Sequence, residues 1–348
     1  MNLCHSTGHA HIDQILRSVI GICEETAPNF VLSYYLTGSY AYGEPVPTSD
    51  VDLLLINNTQ PDEQSEKEQF GSPIFRQYLP PEGEKKIRKI FTHVRPLLPV
   101  RVSISYRREA DEKKTRFNPS LRIHRVLLFG TDIYQDLFDP NEPEISDRGI
   151  RLRIHRAYRI LCDIHNVNKE LELPLEFPDS NDEFFGYALE GVAVWGQPLV
   201  RLDRFVSFVY PLCTALLTKK TGLNIYRKDT LPHIYQKHIG DQWSDFVADT
   251  FDLCRKAWQY QIPEDINERK RLREICKNAL GFADRFLSFY RDFLLEELAS
   301  GEPERVLMAA MMMGQKRLKD LQVTAALKEH KDSSDDEIKQ AVSSIFMS

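Results

Sequence analysis

The amino-acid sequence predicts an α+β fold, in which an N-terminal domain built on a mixed sheet precedes an all-α helical bundle domain. The chain has 348 residues, more than one compact core usually contains, so we expect two domains. Short apolar runs typical of strands lie in the first third of the chain, whereas the sequence from Asp147 onward has mainly helical periodicity. The prolines at 140 and 143 mark the predicted boundary. The predicted parts are a mixed-sheet domain at residues 1–140, a helical domain at residues 147–329 and a polar tail at residues 330–348.

The predicted N-terminal domain alternates helices and strands. Strands are predicted where β-branched and aromatic residues form short apolar runs, at Phe30–Leu36, Val51–Ile56 and Pro99–Tyr106. Helices are predicted where apolar residues recur every three or four positions, at Ile12–Glu25, Glu84–Leu97 and Leu121–Phe129. Gly130 follows the last of these segments and is expected to end that helix.

The predicted C-terminal domain consists of amphipathic helices at Arg201–Lys219, Trp243–Tyr260, Asp265–Ala299 and Arg305–Lys328, after a first helix that begins near Asp147. That first helix is rich in arginine, at positions 148, 151, 153, 156 and 159. Two interpretations remain open for this arginine set. The side chains either neutralise phosphate charge at a functional site or form a solvated helix face, and helices of this kind more often show the second arrangement.

Composition excludes several classes of protein. The formal net charge of −6 gives no support to a general nucleic-acid binder, which is usually basic. No apolar run approaches the roughly 20 residues of a membrane helix, and the histidine-containing N-terminus has no secretory pattern and is expected to be flexible. The six cysteines are scattered, as expected of free thiols in a reducing compartment, so we expect a cytoplasmic protein.

Two acidic residues, Asp50 and Asp52, stand at the head of the second predicted strand. Residues at i and i+2 of a strand share one face, about 7 Å apart along the backbone. Carboxylates this close repel each other unless a cation lies between them. Oxygen-only ligation by two aspartates suits Mg²⁺, which keeps its remaining positions for water and substrate phosphates.

A glycine–serine pair, Gly38-Ser39, follows the first predicted strand. Glycine allows close approach of the backbone to a ligand, and free N–H groups at the start of a helix favour phosphate. The strand–turn–strand order would bring this pair beside Asp50 and Asp52. Each feature alone is common, since most Asp-x-Asp pairs are not metal sites and most Gly-Ser pairs are turns. Their order, with apolar strands on both sides, favours a site.

These residues resemble the signature of the DNA polymerase β-like nucleotidyltransferases, in which Gly-Ser is followed about ten residues later by Ser-Asp-x-Asp, here Ser49 to Asp52. The similarity is closest to the aminoglycoside nucleotidyltransferases. Two other stretches support it more weakly. Val126–Tyr134 resembles the segment that closes the catalytic domain of that family. Leu216–Gly222, with Lys228 and Tyr235 after it, resembles a helix–turn–helix of its helical domain.

The resemblance implies a nucleoside triphosphate and Mg²⁺ as cofactors, with ATP and transfer of AMP as the expectation. Asp50 and Asp52 would hold the metal as the catalytic pair, and Gly38 and Ser39 would grip the β- and γ-phosphates. Ser49 is a further expected nucleotide-binding residue. A hydroxyl of the acceptor would attack the α-phosphorus, and pyrophosphate would leave.

The sequence departs from the family pattern on the next predicted strand, where a third carboxylate is usual. The corresponding positions are Arg101, Ser103 and Ser105. Arginine neither ligates Mg²⁺ nor acts as a base, so Arg101 is expected to bind phosphate or an anionic group of the acceptor. One alternative is a base from elsewhere in the chain, with Asp182, Glu183 and Glu190 as candidates. Otherwise the acceptor needs no protein base, or the enzyme is slow or inactive.

The acceptor is left open by the sequence, and a small molecule is favoured over a macromolecule. Acidic stretches at Pro61–Glu68 and Asp179–Glu183 favour a cationic acceptor such as an aminoglycoside. Two alternative functions remain. One is an inactive nucleotide-binding regulator or antitoxin-like protein. The other is an enzyme that nucleotidylates a protein or an RNA. No membrane partner is expected, and the sequence makes no prediction of the oligomeric state.

Overall fold

The computed structural model describes residues 2–59, 80–109, 125–134, 146–188 and 202–347. These residues form two compact units. The first contains the described residues up to Gly149 together with Leu223–Asp229, and the second contains the other described residues. None of the described helices is both long enough and apolar enough to cross a membrane. The predicted boundary at residues 140–143, the acidic stretch Pro61–Glu68 and Glu190 lie outside the described residues.

The described part of the first unit is built on a four-stranded mixed sheet in the order β3-β2-β1-β4. The two central strands are antiparallel to each other, β3 runs parallel to β2, and β4 runs antiparallel to β1. The bounds are β1 Val31–Thr37, β2 Val51–Asn57, β3 Val102–Arg108 and β4 Val126–Gly130. The fold class is therefore α+β, as predicted, and the first three strands lie close to where the sequence placed them.

One face of this sheet packs against two helices, α1 (Ala10–Thr26) and α3 (Glu82–Val94). Successive side chains of a strand point to opposite faces, so alternate residues of the central strands enter this core. The buried cluster combines sheet residues Tyr34, Leu36, Leu53, Leu55 and Val102 with helix residues Leu16, Val19, Ile87 and Phe91. Both helices match predicted segments, and a single 3-10 turn, Arg95–Leu97, follows α3.

The opposite face of the sheet carries a smaller apolar cluster. Tyr35, Leu54, Ile56 and Tyr134 are buried there. The same alternation places Thr37 and Asp52 on this face, at one end of the two central strands. The larger core therefore packs on one face of the sheet. The polar residues Thr37 and Asp52 lie on the opposite face, which carries the smaller cluster.

The helix predicted at Leu121–Phe129 is wrong in its described part, because Val126–Gly130 forms the edge strand β4. A short apolar run fits a helix or a strand equally well by periodicity, and here pairing with β1 decides the outcome. Gly130 has φ +92° and lies so close to β1 that an added Cβ would be 2.1 Å from the Leu32 carbonyl oxygen. The glycine therefore permits a close strand contact rather than ending a helix.

The N-terminal segment, expected to be flexible, is tied to the first unit. The Cys4 N–H donates to the Leu128 carbonyl oxygen at 2.8 Å, which extends the β4 edge. The carboxylate of Asp13 on α1 accepts hydrogen bonds from the Ser6 hydroxyl at 2.6 Å and from the Thr7 N–H at 2.8 Å. These bonds fix residues 4–7 against the sheet and α1.

The second unit is almost entirely helical. Its helices are α4 Asp147–Ile164 (whose first residues belong to the first unit), α5 Asp203–Thr221, α6 Leu231–His238, α7 Ser244–Asp249, α8 Ile266–Leu298, α9 Pro303–Gln315, α10 Leu321–Glu329 and α11 Asp336–Met347. The predicted all-α character has one small exception, a parallel pairing of β5 (Glu170–Leu171) with β6 (Arg317–Leu318). Side chains of Asp265 and Asp320 cap α8 and α10 by accepting backbone N–H groups.

Three helical predictions differ in detail from the structure. The segment predicted as one helix at Arg305–Lys328 is divided into α9 and α10 by β6. The segment Trp243–Tyr260 contains α7 followed by a π-helix at Thr250–Ala257. Residues 330–348, expected to be a polar tail, include α11, whose Ile338, Val342 and Ile345 are buried.

The arginine-rich helix α4 does not present one solvated face. Arg156 and Arg159 are exposed, but Arg148, Arg151 and Arg153 are partly buried. Arg153 donates to the Thr218 hydroxyl at 3.0 Å, and Arg151 lies 3.7 Å from the buried carboxylate of Glu297. These contacts give Arg151 and Arg153 a structural role within the second unit.

The same helix carries a buried histidine, His155. Its Nδ1 lies 2.9 Å from the Tyr290 hydroxyl of α8, and its ring is 2% exposed. Burial, helped by the nearby charge of Arg151, lowers the pKa of His155 to about 3. The imidazole is therefore neutral in the folded protein at neutral pH.

Candidate active site

The polar end of the open sheet face is formed by three neighbouring strands. Thr37 at the end of β1 pairs with Asp52 near the start of β2, and Asp52 pairs with Ser103 on β3. Paired residues of adjacent strands point to the same face, so these three side chains form one row across the sheet. The row lies where β1 ends and where β2 and β3 begin.

Gly38 brings the backbone directly against Asp52. It is the first residue of the short helix α2 (Gly38–Tyr42) and has φ +69°. A Cβ atom built on Gly38 would lie 2.0 Å from Oδ2 of Asp52, which no real side chain tolerates. Both the positive φ and the close approach require glycine here. The predicted Gly-Ser turn and the predicted acidic pair are therefore neighbours.

Asp50 immediately precedes β2, and its side chain lies beside Arg101 and Ser103 at the start of β3. Its Oδ2 accepts a hydrogen bond from the Ser103 hydroxyl at 3.1 Å, and Nη2 of Arg101 lies 3.1 Å from the same oxygen. Because Ser103 also pairs with Asp52, both carboxylates lie on the same face of the sheet. The side chains of Asp50 and Arg101 are 26% and 27% exposed, so solvent reaches this ion pair.

Ser49 closes the turn that leads into Asp50. Its hydroxyl oxygen accepts from the Val46 N–H at 2.9 Å, and its own N–H donates to the Val46 carbonyl oxygen at 2.8 Å. This turn connects the loop after α2 to β2. Nucleotide binding by Ser49 stays a prediction. Ser39 lies in the first turn of α2, and its carbonyl oxygen accepts from the Glu44 N–H at 2.9 Å.

Two side chains of this region were not found by sequence reasoning, Tyr40 and Glu44. Burial, together with the charge of Asp50, raises the pKa of Tyr40 and so keeps its hydroxyl protonated near the acidic pair. The ring of His9 stands edge-on to that of Tyr40, with 5.5 Å between the centroids. Glu44 is buried. An acid after a glycine is an ordinary loop pattern, so the sequence gives no sign that this side chain makes contacts in the folded chain.

The donor set fits a single Mg²⁺ that is also bound by a substrate. Two aspartate carboxylates offer hard oxygen ligands, and Mg²⁺ usually takes one or two carboxylates with water and phosphate oxygens at its other positions. Among the described residues, no group of three or more His, Cys, Asp and Glu side chains could hold a metal ion. Ser103 occupies the strand position beside Asp52 where the family resemblance implies a third acid.

The candidate bases from sequence have structural contacts within the second unit. One carboxylate oxygen of Asp182 accepts from the Phe184 N–H at 2.8 Å and from the Gly186 N–H at 3.1 Å. Glu183 accepts from Arg269 Nε at 3.1 Å. The Asp182 carboxylate thus holds the turn in which it lies, and the Glu183 carboxylate ties that turn to α8. Their role as a base is a prediction that these contacts do not support.

Comparison with a known protein family supports the resemblance drawn from the motif. Residues 16–128 match the sequence profile of the family described as "Nucleotidyltransferase domain". The match includes Gly38, Ser39, Asp50, Asp52 and Arg101. Residues 16–128 are therefore similar to a nucleotidyltransferase domain. The matched segment covers about a third of the chain and does not include the helical second unit.

Other comparisons add little to this similarity with nucleotidyltransferase domains. A search of curated protein sequences gives no significant match. One solved structure is that of the spectinomycin adenyltransferase AAD(9) from Enterococcus faecialis with ATP and spectinomycin. It is 13% identical, covers 76% of this chain and 98% of its own, and has a TM-score of 0.39. Similarity at this level carries no argument about fold, substrate or mechanism.

Proposed function

We propose that this protein is a Mg²⁺-dependent nucleotidyltransferase that moves AMP from ATP to a hydroxyl of a small-molecule acceptor. The observation that carries the proposal is the contact between Gly38 and the Asp52 carboxylate, with Asp50 on the same face of the sheet. A turn suited to phosphate and a pair of acids suited to a divalent cation meet at one sheet end. They do so inside a segment that matches a nucleotidyltransferase domain.

In the proposed reaction, Asp50 and Asp52 hold the metal ion and the turn at Gly38-Ser39 donates backbone N–H groups to the β- and γ-phosphates. A metal ion held by Asp50 and Asp52 would supply positive charge that offsets the negative charge of the triphosphate and of the departing pyrophosphate. The acceptor oxygen forms a bond to the α-phosphorus as the bond from phosphorus to the pyrophosphate oxygen breaks. The hydroxyl proton passes to water or to a base supplied by the protein.

Arg101 has two successive roles in this scheme. Without a metal ion, its guanidinium offsets the charge of Asp50, from which it lies 3.1 Å away. With a cation held by Asp50, the guanidinium would bind a phosphate of the nucleotide, for which its planar donor geometry is well suited. Removal of a general base typically costs about 10²–10⁴ in rate, so activity does not require a third acid on β3.

The test is the substitution Asp50→Asn, which keeps the size of the side chain and removes its charge. We expect Asp50→Asn to abolish Mg²⁺-dependent binding of a non-hydrolysable ATP analogue in calorimetry, with circular dichroism unchanged. Asp132→Asn is the control, because Asp132 is an exposed acid of the same unit whose Oδ1 accepts from the Tyr35 hydroxyl at 2.9 Å. Unchanged affinity in Asp50→Asn would contradict the metal assignment.

A second candidate function is an inactive nucleotide-binding regulator. Two observations favour it, the serine beside Asp52 where the resemblance implies an acid and the arginine paired with Asp50. Release of pyrophosphate from Mg²⁺-ATP in the presence of a panel of acceptors would identify the enzyme. Binding without release would identify the regulator. Radiolabel from α-³²P-ATP on a protein or RNA would instead identify an enzyme acting on macromolecules.

We also propose a cytoplasmic location, on the evidence of the cysteines. All six are free thiols in the structure, and Cys23, Cys162, Cys213, Cys254 and Cys276 are buried. Buried free thiols are typical of proteins from reducing compartments.

A further inference from the structure

The segment Leu223–Asp229 joins two helices of the second unit but folds as part of the first. Within the first unit it lies beside α2. The rings of Tyr226 and Tyr42 pack with 5.7 Å between their centroids. Nε of Arg227 donates to Oε1 of Glu44 at 2.5 Å, and the Asp229 N–H donates to Oε2 of the same carboxylate at 3.4 Å. Both oxygens of Glu44 are therefore engaged by this segment.

Glu44 is a buried acid with an accessible partner. Its side chain is 3% exposed, whereas that of Arg227 is 47% exposed. A buried carboxylate is costly unless it is paired and hydrogen-bonded, so the position of Glu44 depends on these donors. Removal of the Arg227 charge would leave the acid desolvated without its ion partner, and the chain around Glu44 would shift to rehydrate it.

The short helix α2, next to Glu44, is only partly covered by the core. None of its residues is fully buried, although Tyr40 and Ala41 pack against the larger core cluster, and the helix opens at Gly38 beside Asp52. The Glu44 N–H donates to the Ser39 carbonyl oxygen at 2.9 Å, so a movement of Glu44 is passed directly to the turn proposed to bind phosphate. The position of a short, partly covered helix depends on its flanking contacts as well as on the core.

We propose that the Glu44–Arg227 ion pair is a positioning element of the nucleotide site. It sets the Gly38-Ser39 turn relative to Asp52 by fixing the C-terminal end of α2. This inference rests on the proposed function, because it assigns the pair a purpose in nucleotide binding. Both residues act on the acidic pair through α2.

The test measures the affinity of Mg²⁺ with a non-hydrolysable ATP analogue by calorimetry on the full chain. We expect Arg227→Gln to weaken nucleotide binding by about tenfold to a hundredfold, since misplacement of a binding group by about 1 Å has effects of this size. Arg291→Gln is the matched control. Arg291 pairs with the adjacent Asp292 on α8 of the second unit and is 38% exposed, and its loss should leave affinity within about twofold.

The double variant Glu44→Gln with Arg227→Gln separates positioning from general destabilisation. It replaces the ion pair by a neutral hydrogen-bonded pair of similar size and removes the unpaired buried charge. We expect it to regain affinity to within about threefold of the wild-type protein, a coupling that independent sites do not show. With acceptor present, Arg227→Gln should raise KM for ATP more than it lowers kcat.

The outcomes distinguish the two proposals. If the wild-type protein binds the analogue and Arg227→Gln binds it equally well, the positioning role is overturned and the proposed function stands. Loss of binding in Arg227→Gln without recovery in the double variant would also overturn it. Failure of the wild-type protein to bind any nucleoside triphosphate with Mg²⁺ would overturn the proposed function, and the inference with it.

Discussion

Substitution of Gly38 by alanine should disable the nucleotide site while leaving the domain folded. An added Cβ would lie 2.0 Å from Oδ2 of Asp52, and real Cβ atoms essentially never come within 3.0 Å of such a neighbour. The turn and the carboxylate must therefore separate by about 1 Å. Displacements of about this size cost roughly 10²-fold at sites that depend on geometry, which corresponds to about 3 kcal/mol.

The control for this substitution is Gly301→Ala, between α8 and α9 of the second unit. The two glycines have nearly the same φ, +69° at Gly38 and +70° at Gly301. A Cβ on Gly301 would meet nothing within 4 Å. Both variants should lose about 1–2 kcal/mol from the free energy of unfolding, because alanine is disfavoured in the left-handed region. The contact with Asp52 is the difference between them.

The assay combines urea denaturation with calorimetric titration of Mg²⁺ and a non-hydrolysable ATP analogue. We expect the two variants to unfold at similar urea concentrations and Gly38→Ala to bind the analogue about a hundredfold more weakly than Gly301→Ala. Equal affinities in the two variants would refute the reasoning, since the crowding of Asp52 would then have no bearing on the ligand.

Two further predictions concern charge. In the absence of nucleotide, Arg101→Gln should raise the affinity for Mn²⁺ by about threefold, because the partly exposed ion pair with Asp50 no longer competes with the cation. The same substitution should lower the affinity for Mg²⁺-ATP. Calorimetry measures both affinities, and changes of the opposite sign would exclude the two roles given to Arg101. His155→Gln should remove part of the acid sensitivity of folding. The pKa of His155 in the folded state, about 3, lies below its value of about 6.5 in the unfolded state. Between these two pH values the unfolded state binds more protons, so the free energy of unfolding decreases as the pH falls through this window. From pH 6.5 to pH 5.0, the free energy of unfolding measured by urea denaturation should decrease by about 2 kcal/mol more in the wild-type protein than in the variant. Equal decreases in the two proteins would show that His155 is not the titrating group.

The residues of the candidate site were predictable because they lie within a short stretch of chain. Gly38, Asp50 and Asp52 are joined by two strands and a turn, so the alternation of strand residues already implied that they share one end of a sheet. The strand with Arg101 and Ser103 was also predictable from its alternation. Local pattern and local geometry agree in this part of the fold.

The features that the sequence did not reveal depend on contacts between distant residues. The run Val126–Phe129 is short and apolar, and only its pairing with β1 makes it a strand. The contact of Arg227 with Glu44 joins residues 183 positions apart, and no periodicity marks either one. The burial of α11 was similarly hidden, because Ile338, Val342 and Ile345 lie among polar neighbours and only the rest of the unit covers them.

The assignment of Leu223–Asp229 to the first unit has a consequence for how the chain is made. A ribosome synthesises the sheet, the acidic pair and α2 long before it reaches Arg227. At about 5–20 residues per second, several seconds pass between Gly149 and the partner of Glu44. We therefore expect the nascent domain to leave the ribosome before Glu44 can bond to Arg227, and a fragment that ends at Gly149 to lack this contact permanently.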